Sequence, residues 1–62
     1  VDRVPQIGDI WLYDGQAHYL ILAISGNYCD LLYLEGSIIC DGYNIMLFFP
    51  DEKGFTPWEF LT

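Results

Sequence analysis

Cations are nearly missing from this chain. Arg3 and Lys53 are its only basic side chains against nine Asp and Glu, giving a net charge of −7. Protein affinity for DNA and RNA comes largely from cations that neutralise phosphates, so direct nucleic-acid binding is not expected. Long apolar runs are missing too. A membrane-spanning helix needs ~20 apolar residues, whereas the longest run, Tyr19–Ile24, has the length of one strand. The opening stretch "VDRVPQIGD" has no apolar h-region, so no signal peptide is expected. Two cysteines, Cys29 and Cys40, are too few for a disulfide scaffold and are expected to be free thiols in a reducing cytoplasm. There is one histidine, His18. A P-loop, a Gly-rich dinucleotide turn, a HExxH pair and EF-hand spacing are all absent, so no cofactor is expected.

What the chain does have is apolar and aromatic. Hydrophobic residues make up 53% of its 62 positions and aromatic ones 18%, enough for one domain with a core and some surplus. Turn signals recur at short intervals: Asp14-Gly15, Ser25-Gly26-Asn27, Glu35-Gly36-Ser37, Asp41-Gly42 and Asp51–Gly54. Segments of five to eight residues rich in Ile, Leu, Tyr, Phe and Trp lie between them, which predicts an all-β meander. Strands are expected at Asp9–Tyr13, His18–Ser25, Tyr28–Glu35, Ser37–Asp41 and about Trp58–Leu61. Asn44–Phe49 reads either as a continuation of the fourth strand past a bend at Gly42 or as a helical turn, since Ile45, Phe48 and Phe49 have i, i+3, i+4 spacing. "TPWE" at Thr56–Glu59 fits a capping box with Pro at the first helical position, but leaves room for at most one turn.

The second strand is apolar on both faces. Strict alternation puts His18, Leu20, Leu22 and Ile24 on one side and Tyr19, Ile21, Ala23 and Ser25 on the other. A sheet with one wet face alternates apolar with polar residues, so the outer face of this strand should also be covered, by another segment or another subunit. About five short antiparallel strands joined by tight turns predict a small SH3-like barrel, residues 1–62 forming one domain; the longer OB-like barrel is the rival.

Candidate sites are few. His18 could act as a general base, although no nucleophile is set beside it by sequence. With a two-residue turn at Glu35-Gly36, Leu31 faces Cys40 and Cys29 faces Gly42. The cysteines are then diagonal neighbours, ~7–8 Å apart at Cα, at or beyond disulfide reach. The same register sets Asp30 opposite Asp41, where like charges would be relieved by a hard cation or by solvent. The eleven aromatic residues cannot all fit so small an interior. Trp11, Tyr13, Tyr19, Tyr33 and Trp58 are therefore candidates for a binding surface, and aromatics on an acidic surface suit a basic or Pro-rich partner segment.

"PQIGDIWLYDGQAHYLILAIS", Pro5–Ser25, resembles the opening of the plasmid-maintenance toxins, endoribonucleases on an SH3-like barrel. The likeness lies in Gly8-Asp9-Ile10-Trp11 and in the apolar strand Leu20–Ser25, and it implies Ser25 as the active-site hydroxyl. Where that family has an arginine at the head of the strand, this chain has Gln16, Ala17 and His18, so the resemblance implies the fold more than the activity. The pattern GDIW, HYLIL and a terminal WEF also looks like short SH3-like proteins of phages and bacteria. Three functions follow as expectations. The first is a non-enzymatic protein–protein interaction module, dimeric through its surplus apolar surface. The second is a minimal ribonuclease using His18 and Ser25. The third is an acidic nucleic-acid mimic.

Overall fold

A computed structural model describes residues 3–62. Five antiparallel strands form one sheet: β1 (Ile10–Tyr13), β2 (Ala17–Ser25), β3 (Tyr28–Tyr33), β4 (Ile38–Asn44) and β5 (Trp58–Phe60). Their order is β4-β3-β2-β1-β5. The only helical piece among the described residues is the 3-10 turn Ile45–Phe48.

The turns follow from local chemistry. Between β1 and β2, Gln16 N donates to Tyr13 O at 3.0 Å. Asp14 and Gly15 both have positive φ, 54° and 67°, the pair of left-handed residues that a type I′ turn requires and that Asp-Gly supplies. Between β2 and β3, Ser25 pairs with Tyr28 across the two-residue loop Gly26-Asn27, with φ of 60° at Gly26 alone, as in a type II′ turn. The β3–β4 connection is longer than the expected two-residue turn. Pairing with β4 stops at Tyr33↔Ile38, while Leu34 N donates to His18 O at 2.9 Å, one step further along the β2–β3 ladder.

Two bulges flank Asp30. In β2 the pairing passes from Ile21↔Leu31 to Ala23↔Asp30, leaving Leu22 as the extra residue. In β4 it passes from Leu31↔Cys40 to Cys29↔Tyr43, leaving Asp41 and Gly42 against Asp30. A bulge bends its strand and increases the local twist, and two at one height fold the sheet over. The result is visible at its ends. Five flat strands would hold β4 and β5 roughly 19 Å apart, at ~4.8 Å per step. Yet Trp58 Nε1 of β5 donates to the Tyr43 hydroxyl of β4 at 3.1 Å. The sheet is thus a curled, open barrel whose end strands meet through side chains rather than backbone pairing.

The bulges also correct the strand faces. Ile21 points inward, Leu22 and Ala23 take up the extra step, and Ile24 returns to pack on the core. Leu20, Leu22 and Ile24 therefore do not share one face. Cys29 faces Tyr43 rather than Gly42, and Asp30 meets the amide of Gly42 at 3.4 Å rather than a directly opposed Asp41. The expected capping box at Thr56–Glu59 is a strand entry instead. Trp58–Phe60 pairs with Tyr13–Trp11, while Thr56 Oγ1 accepts from Trp58 N at 3.2 Å and donates to Phe48 O at 3.3 Å. Both readings of Asn44–Phe49 hold in part: β4 runs on to Asn44 through the Gly42 bulge, and the 3-10 turn follows.

Core residues Trp11, Ile21, Cys29 and Leu31 line the concave face, and Ile45, Phe48 and Trp58 close over them. Asn44 Oδ1 caps the turn by accepting from Met46 N at 3.0 Å, and Ile45 N donates to Asn27 O at 2.8 Å. The Phe48 ring then stacks on Trp58 at 4.3 Å and meets Trp11 edge-on at 5.0 Å.

Candidate functional site

The concave face is ordered in rows, because residues paired across strands point to the same side. One row reads Phe60–Trp11–Tyr19–Tyr33–Ile38 across all five strands. One step along, Trp58 pairs with Tyr13. Trp58 stands as a wall between two openings. On one side is a slot of about 150 Å³ lined by Tyr13, Tyr19, Leu31, Cys40, Tyr43 and Trp58. On the other is a cleft of about 300 Å³ bounded by Arg3, Trp11, Phe48, Phe60 and the Phe49-Pro50 segment.

Ring geometry fixes the slot. Tyr13, Tyr19 and Tyr43 each meet Trp58 near edge-to-face, at 4.9, 5.3 and 5.7 Å, the arrangement aromatic quadrupoles prefer. Tyr33 backs Tyr19 at 5.4 Å. Leu31, fully buried, and the half-buried Cys40 complete the lining. Partial burial holds the Tyr19 phenol above its ordinary pKa, helped by the nearby Cys40, Tyr33 and Glu35, so at neutral pH it is an uncharged hydroxyl.

The cleft is occupied by the protein's own chemistry. A tight turn, with Asp9 N donating to Gln6 O at 3.0 Å and φ of 93° at Gly8, folds the N-terminal stretch back beside β1. Asp9, buried, then accepts from Arg3 Nε at 3.1 Å and from its terminal nitrogen at 3.0 Å. It also accepts from Gln6 N at 2.9 Å and Trp11 Nε1 at 3.3 Å. These bonds, Arg3 first, hold its carboxyl below the usual range against the opposing effect of burial. The Arg3 guanidinium lies over the Phe60 ring, 4.2 Å from its centroid.

Of the candidate binding aromatics, Tyr13, Tyr19 and Trp58 converge on the slot and Tyr33 flanks it. Trp11, only 3% exposed, is a core residue lining the cleft. His18 and Ser25 stand at opposite ends of β2, seven residues and roughly 20 Å apart at ~3.3 Å each, so they do not form a pair. His18 instead meets Glu35, whose carboxylate accepts from its backbone N at 2.9 Å and from its imidazole Nδ1. Those two bonds, the amide first, lower the Glu35 pKa. Among the described residues no three His, Cys, Asp or Glu side chains gather into a metal-binding group, at Asp30 and Asp41 or elsewhere, and no helix is long and apolar enough to cross a membrane.

Sequence reading missed Tyr43 and the Arg3–Asp9–Trp11 cluster. Asp41-Gly42 reads as a turn or as a bend within the fourth strand, and only the second keeps Tyr43 in the sheet, as β4 (Ile38–Asn44) does. For the cluster the available signal was an Asp immediately before a strand, two residues from a Trp, with an Arg in reach upstream. No protein-family model matches the chain, and no curated protein or solved structure is significantly similar to it.

Proposed function

We propose that this is a non-enzymatic protein–protein interaction module of the SH3-like barrel type, which receives an extended basic or proline-rich segment at the aromatic slot. The observation that carries the reading is the convergence of Tyr13, Tyr19, Tyr43 and Trp58 around one opening on a chain with a net charge of −7. Extended segments dock on aromatic-lined grooves because rings supply large contact area at low cost in side-chain freedom. The acidic chain supplies a long-range attraction for a basic partner and raises its encounter rate.

The test is an amide and indole NMR titration with a panel of short basic and proline-rich peptides. Shifts confined to Tyr13, Tyr19, Tyr43, Trp58 and their strand neighbours, weaker in Tyr19→Ala, are expected. A panel that leaves these signals unmoved at about 1 mM peptide, a Kd beyond the weakest useful range, overturns the reading.

A second surface favours self-association as a companion property. Ile10 pairs with Leu20, Leu20 with Leu32 and Leu32 with Ile39, so four aliphatic side chains form an unbroken row across the convex face of four adjacent strands. Leu22 and Leu34 are exposed as well.

A further inference from the structure

We infer that the slot between Tyr13, Tyr19, Tyr43 and Trp58 holds a single cationic side-chain head group, a guanidinium or an ammonium, of the bound segment. This rests on the reading of the slot as a peptide site and specifies what it selects.

Size limits the occupant. Small-molecule sites generally enclose ~300–1,000 Å³, and the slot's 150 Å³ falls below that range. One side-chain end fits; a folded element or a cofactor does not. The walls then set the charge. Four aromatic rings surround the space, and the negative face of a ring attracts a cation within ~6 Å of its centroid. The fold already uses this contact once, where Arg3 lies 4.2 Å over Phe60, two positions along β5 from Trp58.

Among the described residues, no cationic side chain lines the slot. The chain carries two basic side chains. Arg3 is committed to Asp9 on the far side of the Trp58 wall, and Lys53 lies in the loop with Asp51 and Glu52. Outside the slot, the Glu35 carboxylate, held by the His18 amide and imidazole, adds to the forces that keep the Tyr19 phenol un-ionised. The same field favours a cation in the slot. Polar contact comes from the tyrosine hydroxyls. The Tyr43 hydroxyl takes the Trp58 indole proton, which leaves its own proton directed elsewhere and fixes both rings.

The experiment compares acetylated, amidated Pro-Xaa-Pro peptides in which Xaa is arginine, lysine, citrulline or norleucine, followed by Trp fluorescence and NMR on the full chain. Citrulline keeps the shape of arginine without the charge. Arginine or lysine peptides binding roughly three- to thirty-fold tighter than their neutral counterparts, as a cation over aromatic faces gives, supports the inference, and the ratio of the two shows which head group fits better. Tyr13→Leu keeps apolar bulk at a position 39% exposed and should erase most of that preference while the circular dichroism spectrum stays unchanged. If all four peptides bind equally, the inference fails and the peptide-site reading stands as an apolar or proline site. If none binds, both fail.

Discussion

At the scale of single residues, Asp9 shows how much one buried carboxylate can organise. It joins the N-terminal stretch to β1, accepts the hydrogen bond of the Trp11 indole, and positions Arg3 over Phe60. Its carboxyl titrates below the ordinary value because Arg3 and the two N–H donors favour the anion. A carboxylate with a depressed folded-state pKa contributes stability that is fully present above the unfolded value of about 4 and is lost as pH falls through the folded one. Thermal melts of the wild type should therefore weaken steadily below about pH 4, and those of Asp9→Ala should show less of that loss. At neutral pH Asp9→Ala orphans the buried Trp11 N–H and should cost about 2–3 kcal/mol by denaturant titration. Equal stability at neutral pH would remove Asp9 from this role. In the sequence Asp9 reads as the first residue of a strand, and its spacing from Arg3 and Trp11 is the one hint of this role.

The two cysteines separate in the same way. Cys29 is 2% exposed, and burial, with Asp30 nearby, pushes its thiol pKa up. A buried thiol of raised pKa reacts slowly. Cys40 lines the slot and is partly accessible. A thiol reagent should modify Cys40 in the native protein and reach Cys29 only on unfolding, and a bound peptide should slow the Cys40 reaction. Mass spectrometry of the labelled chain decides it. Labelling of Cys29 in the native protein would contradict its burial, and no label after denaturation without reductant would contradict the free thiols.

At the scale of elements, the contrast between legible and hidden follows from what each signal depends on. Asp14-Gly15 and Gly26-Asn27 set their turns by local backbone preference, so the first three strands lie close to where the sequence puts them. The fourth does not, because Asp41-Gly42 offers the same local chemistry as a turn yet is used as a bulge. What distinguishes the two uses is the partner strand: β3 continues through Asp30 to Cys29 and Tyr28, which pair with Tyr43 and Asn44. At Thr56–Glu59 the helical turn does not form, but the terminal strand expected at about Trp58–Leu61 does, as Trp58–Phe60 paired with β1. The Gly42 bulge thus carries Tyr43 to the slot and, with the Leu22 bulge in β2, curls the sheet. Gly42 has φ of 67°, and a Cβ there would meet nothing within 4 Å, so the penalty for a side chain is conformational rather than steric. Gly42→Val should cost about 1–2 kcal/mol and weaken peptide binding. A D-alanine at this position, accessible by synthesis of so short a chain, should fold at least as stably as glycine, because it favours positive φ and loses less freedom. Equal destabilisation by valine and D-alanine would mean that space, not backbone conformation, governs the site.

At the scale of the whole molecule, the surplus apolar residues that composition announces divide between two surfaces with opposite electrical settings. The concave slot is the proposed seat of a cation. The convex row Ile10–Leu20–Leu32–Ile39 is built of uncharged side chains and ends on β4, an edge strand whose Ile39 is 60% exposed. The sequence required cover for one face of β2, and the core residues Phe48 and Trp58 supply it on the concave side only. A second copy is the simplest cover for the other, since two-fold pairing buries identical rows against each other. A stable interface takes ~800 Å² from each partner, about a fifth of the 4243 Å² that one chain exposes. Two copies at −7 bring together −14, and that repulsion opposes contact until salt shortens its range to ~10 Å at 0.1 M and ~3 Å at 1 M. Self-association should therefore strengthen as salt rises, whereas cation recognition at the slot should weaken. Sedimentation equilibrium at about 10–100 μM, a range that brackets modest affinities, should show a rising dimer fraction between low and high salt. Ile39→Lys should abolish it while leaving the fold and peptide binding intact, because the lysine enters the row and not the slot. A single 7.2 kDa species at every salt concentration would mean that the convex row stays open to solvent and that the slot is the molecule's one contact surface.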